Sequence, residues 1–159
     1  MSDAARTDLL RVTGSGEADV VVANLEAATM SEAIRELMAG FCGHEAVTNP
    51  LAWEADLIRR EKLDSTATPQ GVAFPHARTE AVREIVWAVG TSRAGIEWSA
   101  GRQAVRLVIL IGVPAGMVRE YLEFLGRVNR TLRAEGAVDA LAASTSDEEL
   151  RARLRARFG

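Results

Sequence analysis

The run Gly71-Val72-Ala73-Phe74-Pro75-His76-Ala77-Arg78 reads as a short strand halted by a proline, with a histidine left just beyond its end. Val72 to Phe74 is apolar enough to be buried, and Pro75 has no N–H with which to continue a ladder. A side chain placed there stands at the rim of a sheet, where reactive groups are often held. The chain has 2 histidines in 159 residues, so this position asks for a reason. Imidazole has an ordinary pKa near ~6.5, so much of it is neutral at cellular pH and able to act as a nucleophile. On its own, a strand-end histidine is more often structural than reactive. The surrounding residues have to decide.

Downstream, Ile85–Val89, Ile96–Trp98 and Val105–Val113 read as strands, with Ala94-Gly95 and Ala100-Gly101 as the turns between them. Val105–Val113 is apolar throughout except at Arg106, the pattern of a central strand covered on both faces. Pro114 ends it. Val118, Tyr121, Leu122, Leu125, Val128 and Leu132 then recur at helical spacing, which predicts a long helix packed on the sheet by one face. A short helix over Val138–Ala142 follows, and Ser146-Asp147-Glu148-Glu149 caps a terminal helix. The arginines of that helix, Arg151, Arg153, Arg155 and Arg157, are expected to form a solvated face.

Upstream, Asp19–Val22 is a candidate first strand, and Thr29-Met30-Ser31-Glu32 has the capping-box spacing that opens a helix through Ile34, Leu37 and Met38. Asn49-Pro50 supplies an N-cap and a first helical residue for a second helix, expected to bury a stripe of Leu51, Ala55 and Ile58. The order is helices, then strands, then helices, which points to an α/β fold with a mixed sheet between helical layers. Residues 1–17 read as a loose leader punctuated by Gly14-Ser15-Gly16, and residues 18–159 as one domain.

Composition narrows the function classes. A chain of 159 residues that is 48% hydrophobic can bury a sizeable single core. The net charge of −3 gives no electrostatic reason to expect nucleic acid as a partner. Lys62 is the only lysine, so the arginine-rich basic content reflects codon usage rather than a binding patch. Cys42 is the only cysteine; it allows no intrachain disulfide and no cysteine-based metal site, which suits a reducing cytosol. The polar start Met1-Ser2-Asp3-Ala4-Ala5-Arg6 has no apolar signal core. The longest apolar run, Leu107–Val113, is far short of the ~20 residues that span a bilayer. A soluble, cytoplasmic domain with no membrane insertion is expected.

Sixteen residues before His76 stands Arg60, within Arg59-Arg60-Glu61-Lys62-Leu63-Asp64-Ser65-Thr66. The second helix therefore ends in guanidinium groups, and the loop into the His76 strand carries hydroxyls. A guanidinium fork matches phosphate oxygens, and hydroxyls or loop amides can add further bonds. A neutral imidazole beside such a fork is what a phosphoryl-accepting histidine needs: the ring nitrogen attacks phosphorus while the arginine offsets charge on the oxygens. The structural reading of Arg60 is a cation at a helix C-terminus, worth about 0.3–1 kcal/mol.

Arg60-Glu61-Lys62-Leu63 with Ser65-Thr66, then Gly71 through His76, resembles the signature of enzyme IIA components of the bacterial phosphotransferase system. The likeness is to the fructose/mannitol type, which includes the nitrogen-regulatory IIA proteins. It continues through Val86–Gly90, Gly95-Ile96-Glu97-Trp98, the strand ending at Val113-Pro114, and Ala142 to Glu149, covering about residues 20 to 155. The resemblance implies a three-layer α/β/α sandwich with a mixed β-sheet. It implies that His76 accepts a phosphoryl group from the carrier HPr or a homologue. The group would then pass to a IIB domain or serve as a signal to a regulatory target. It places Arg60 near the phosphohistidine, with Ser65 and Thr66 as supporting groups, and calls for no metal, nucleotide or other cofactor.

Two departures from the family pattern matter. Ala67 and Pro69 stand where glycines are common, giving a stiffer loop whose amides are less able to wrap a phosphate. Tyr121 stands where many members carry a second histidine. Its hydroxyl could donate to a phosphoryl oxygen, or the residue could belong only to the core stripe of Val118, Leu122 and Leu125. His44 matches no family position and is expected on the surface. The alternative to a phosphocarrier is a regulatory module that docks on a transporter or kinase, with phosphotransfer vestigial. An unrelated hydrolase is disfavoured, because no serine or cysteine stands in a nucleophile motif.

Overall fold

The computed structural model describes residues 17–99 and 104–158. Five strands form one mixed sheet: β1 (Val20–Val22), β2 (Val72–Ala73), β3 (His76–Arg78), β4 (Val86–Ile96) and β5 (Val105–Val113). The helices are α1 (Met30–Ala39), α2 (Pro50–Leu63), α3 (Val118–Leu132), α4 (Ala137–Ala142) and α5 (Asp147–Phe158). The spatial order is β1-β4-β5-β2, with β3 also on β5. β1 runs parallel to β4, β4 antiparallel to β5, and β2 and β3 both parallel to β5.

β5 is the centre of the molecule, and alternation along it builds two cores. Val108 and Leu110 face one side with Ile34, Leu37, Phe41, Trp53 and Leu57 of the α1–α2 layer. Leu107, Ile109, Ile111 and Val113 face the other with Phe124, Val128, Leu141, Leu150 and Phe158 of the α3–α5 layer. Successive strand residues point to opposite faces, so a strand apolar at nearly every position is the one that both layers can cover. This is the expected three-layer sandwich.

β2 and β3 are two halves of one edge strand. Val72 and Ala73 pair with Leu107 and Val108, and His76 resumes the register opposite Ile111. The break falls at Phe74-Pro75. Only the Pro75 carbonyl bridges it, accepting from the Ile111 N–H at 2.9 Å.

The helix starts follow the side-chain chemistry. Thr29 accepts from the Glu32 N–H at 3.4 Å, while the Glu32 carboxylate accepts from Ala28 N–H at 2.9 Å. Asn49 accepts from Ala52 N–H at 3.2 Å with Pro50 next to it. Such caps contribute about 1 kcal/mol each.

Four expectations change. α2 buries Trp53, Leu57 and Glu61, and leaves Leu51 78% exposed. The indole sets the phase: Trp53 meets Phe41 edge-on at 4.9 Å, and lies so close to Gly112 that a Cβ there would come within 2.6 Å of its ring. In place of the two strands expected over Ile85–Val89 and Ile96–Trp98 there is the single strand β4, which ends at Ile96 and leaves Glu97 and Trp98 beyond it, and Ala94-Gly95 is a bulge within it. Gly95 takes a φ of +86° and donates to Ser92 Oγ at 3.1 Å, so it kinks the strand without reversing it. The Ala100-Gly101 turn and residues 1–16 of the leader lie outside the described residues.

Three of the four α5 arginines expected to form a solvated face are tethers instead. Arg151 donates to the Ala18 carbonyl at 3.0 Å, Arg153 to the Ala140 carbonyl and to Glu149, and Arg155 to Glu17 at 2.8 Å. His44 is not a plain surface residue either. Its Nε2 meets Asp19 Oδ1 at 3.1 Å, and Asp19 Oδ2 accepts from the Trp87 N–H at 3.0 Å, joining the α1–α2 loop to the sheet. Burial holds the Asp19 carboxyl above its ordinary pKa.

Candidate functional site

His76 opens β3 immediately after the break in the edge strand and is half-buried. Its Nδ1 lies 2.8 Å from the Phe74 carbonyl. A carbonyl can only accept, so Nδ1 carries the proton and the lone pair of a neutral ring is on Nε2. Nε2 has no hydrogen-bond partner among the described residues. The site therefore holds one ring nitrogen in use and leaves the other for chemistry.

His76 lines a cleft of about 500 Å³ at the end of the sheet. α2 contributes Asp56, Arg59, Arg60 and Leu63, β3 contributes His76, Ala77 and Arg78, and α3 contributes Val118, Tyr121 and Leu122. Helical spacing places Asp56, Arg59, Arg60 and Leu63 on one side of α2, and strand spacing turns His76 and Arg78 to the same side of β3. Arg59 is paired with Asp56 at 2.6 Å. Arg60 and Arg78 are in no ion pair among the described residues. Two guanidinium groups without carboxylate partners beside a histidine make a cleft suited to a dianion.

Tyr121 joins the two readings that the sequence left open. It is 8% exposed and packs in the core with Phe124 and Val113, yet it also lines the cleft. Its ring stacks on His76 with centroids 5.2 Å apart and planes 27° from parallel. Burial pushes the phenol pKa up to about 12, partly opposed by the charge of Arg60. The hydroxyl is thus a neutral donor at cellular pH, close enough to Arg60 to feel its field, and it bonds to nothing among the described residues.

The structure does not bring Ser65 and Thr66 to the cleft. The Ser65 hydroxyl accepts from the Ala67 N–H at 3.2 Å within its own turn. Thr66 is fully engaged: its hydroxyl donates to Glu61 at 2.6 Å and accepts from the Phe74 N–H at 2.8 Å. Neither hydroxyl is directed to a phosphate in this arrangement, and the loop carrying Ala67 and Pro69 stays clear of the cleft as well.

Two residues escaped the sequence reading. Arg78 could have been found as the second residue after His76 on a strand, on the same face. Glu61 could have been found as a charged residue in the buried phase of α2, one turn beyond Leu57; it is only 4% exposed.

Residues 17–156 match the family described as "Phosphoenolpyruvate-dependent sugar phosphotransferase system, EIIA 2". The chain belongs to this family. Among curated relatives, it is 28% identical over 149 residues to the 2-O-alpha-mannosyl-D-glycerate-specific EIIABC component of Escherichia coli. That match takes in 92% of this chain but 21% of the relative, so the chain spans about a fifth of that protein's length. Among solved structures, the nitrogen regulatory protein IIA-Ntr of Neisseria meningitidis superposes with a TM-score of 0.74 at 26% identity, covering 86% of this chain and 93% of that one. The complex of enzyme IIAMTL and phosphorylated enzyme IIBMTL from Escherichia coli contains a chain that matches with a TM-score of 0.72 at 25% identity, covering 88% of this EIIA chain and 96% of its counterpart.

No helix among the described residues of this EIIA chain is long and apolar enough to cross a membrane. The described residues also hold no cluster of three or more His, Cys, Asp or Glu side chains able to bind a metal ion.

Proposed function

We propose that the protein is a phosphohistidine carrier that takes a phosphoryl group onto Nε2 of His76 from HPr or a homologous carrier protein. It then passes the group to a IIB partner or holds it as a regulatory signal. The observation that carries this reading is the Nδ1–Phe74 bond, which leaves Nε2 unused on a histidine lining a cleft with two guanidiniums that are in no ion pair among the described residues. In the transfer, Nε2 forms a bond to phosphorus as the bond from phosphorus to the donor's leaving group breaks. Arg60 and Arg78 offset charge on the peripheral oxygens. The phosphorylated ring keeps its Nδ1–H, and the Phe74 carbonyl stabilises the positive charge that then develops on the imidazole. Tyr121 donates its hydroxyl to a phosphoryl oxygen.

Partner choice follows from the rim. Leu63 is 78% and Leu122 59% exposed, and they flank the charged cleft from opposite helices. Apolar residues around a polar centre are the anatomy of a protein docking face rather than of a small-molecule pocket. The solved IIAMTL complex has a phosphorylated IIB partner, which supports the same class of acceptor here. The protein acts in the cytoplasm in this reading, with no nucleic acid partner and no direct membrane insertion.

The test is phosphorylation in the presence of phosphoenolpyruvate, enzyme I and a phosphocarrier, followed by mapping of the acid-labile label. His76→Ala is expected to abolish labelling. Labelling that survives in that variant overturns the assignment to His76, and a wild type that takes no label leaves the docking module as the better account.

A further inference from the structure

Glu61 and Thr66 are tied to the reactive ring by hydrogen bonds on either side of one residue, Phe74. The Glu61 carboxylate accepts from both the N–H and the hydroxyl of Thr66, the latter at 2.6 Å. The Thr66 hydroxyl has one proton, which goes to Glu61, so its lone pair is free to accept the Phe74 N–H at 2.8 Å. The Phe74 carbonyl in turn accepts Nδ1–H of His76 at 2.8 Å. The Thr66 hydroxyl also lies 3.0 Å from the second Glu61 oxygen, so its proton stays with the carboxylate in either orientation.

The N–H and the carbonyl of Phe74 belong to different peptide groups, so what passes between them is position. Phe74 is buried, Pro75 after it has a fixed φ and no N–H, and the Pro75 carbonyl is pinned by Ile111 N–H at 2.9 Å. With the N–H of Phe74 held by Thr66 and the next carbonyl held by Ile111, the Phe74 carbonyl has little freedom to turn away from Nδ1. Glu61 also follows Arg60 directly, so the tie that holds Phe74 fixes the rotation of α2 about its axis and with it the placement of Arg60 in the cleft.

We infer that Glu61 and Thr66 are positioning residues that lock His76 in its Nδ1–H tautomer and hold Arg60 in register with it. Neither touches the phosphoryl group. The inference rests on His76 as the phosphoryl acceptor, but the tautomer can be read without any transfer.

Nitrogen-15 NMR of the unphosphorylated protein distinguishes protonated from unprotonated ring nitrogens of His76. The wild type is expected to show Nδ1–H as the dominant neutral form. Thr66→Val removes the hydroxyl at nearly constant shape and is expected to raise the Nε2–H share. It should also slow phosphoryl acceptance about tenfold or more, the scale of a small misplacement of reacting groups. Glu61→Ala should do the same, while Glu61→Gln, which keeps an acceptor oxygen for Thr66, should stay within about twofold of wild type. Folded Thr66→Val and Glu61→Ala proteins with wild-type tautomer and rate would overturn the inference, as would a wild type dominated by Nε2–H even if the variants fail to fold. A wild type that shows the Nδ1–H lock, loses it in Thr66→Val, and yet is never phosphorylated would sink the phosphocarrier reading and leave the positioning role standing.

Discussion

Tyr121→Phe separates the hydroxyl of that residue from its ring. The ring buries against Phe124 and Val113 and stacks on His76, and phenylalanine keeps all of that contact. The hydroxyl is held protonated by a pKa pushed up to about 12 and bonds to nothing among the described residues, so nothing in the resting protein is lost with it. Fold stability should therefore move by no more than about 0.5 kcal/mol. A hydrogen bond to a charged acceptor contributes about 1.5–3 kcal/mol. At 1.36 kcal/mol per factor of ten, loss of the bond to a phosphoryl oxygen should shift the phosphorylation equilibrium with the carrier about tenfold to a hundredfold toward the unphosphorylated form. The assay is the equilibrium ratio of phosphorylated to free protein against a fixed pool of phosphorylated carrier, read by intact mass at neutral pH, beside a thermal melt. An unchanged ratio at unchanged stability refutes the hydroxyl contact and leaves Tyr121 as a stacking surface. An unchanged ratio with a large loss of stability would show that the hydroxyl has a partner in the resting protein, which contradicts the geometry.

Arg60→Ala is expected to slow phosphoryl acceptance while the melting temperature stays close to wild type, because the side chain is exposed and in no ion pair among the described residues. Arg60→Lys should recover only part of the rate, since an ammonium lacks the two-pronged donor; full activity of Arg60→Ala would reduce the residue to a helix-end cation. Tyr121 is the only tyrosine, so tyrosinate absorbance reports it alone, and its midpoint should lie near about 12 rather than the ordinary 10.0. The folded state then holds this proton more tightly than the unfolded chain. The stability it supplies is intact below pH ~10 and is lost as pH rises toward about 12. A midpoint at the ordinary value would mean that the stack on His76 is open in solution.

The parts of the fold that were legible in the sequence are those in which burial and chain period agree. β5 is apolar at nearly every position, and only a strand covered on both faces tolerates that. The place of His76 at the sheet rim was legible because the proline directly before it breaks the edge strand; that the strand resumes at the histidine itself, which is half-buried, was not. α2 was misjudged because two apolar stripes compete on it, and the large indole of Trp53 outweighs the smaller Leu51 and Ala55 in taking the core. Gly95 was read as a turn because a positive φ serves a reversal and a bulge equally well; the β5 partner that decides between them lies far along the chain. The hydroxyls of Ser65 and Thr66 illustrate a different limit. Loop hydroxyls near an arginine suit a phosphate, but the Thr66 proton is taken by Glu61, whose own burial depends on the phase of α2. The α5 arginines follow the same logic, since Ala18, the carbonyl that Arg151 reaches, sits 133 residues away in the chain.

The division of the edge strand at Phe74-Pro75 also bears on solubility. β2 and β3 form an outer margin of the sheet, and an unbroken outer strand invites a strand of another chain to pair with it. Here the margin consists of a two-residue and a three-residue piece, separated by a proline and ending at an exposed Arg78. Neither piece is long enough to template a ladder, and the proline cannot donate to one. The margin that carries the candidate site can therefore stand open to solvent without lending its backbone to aggregation.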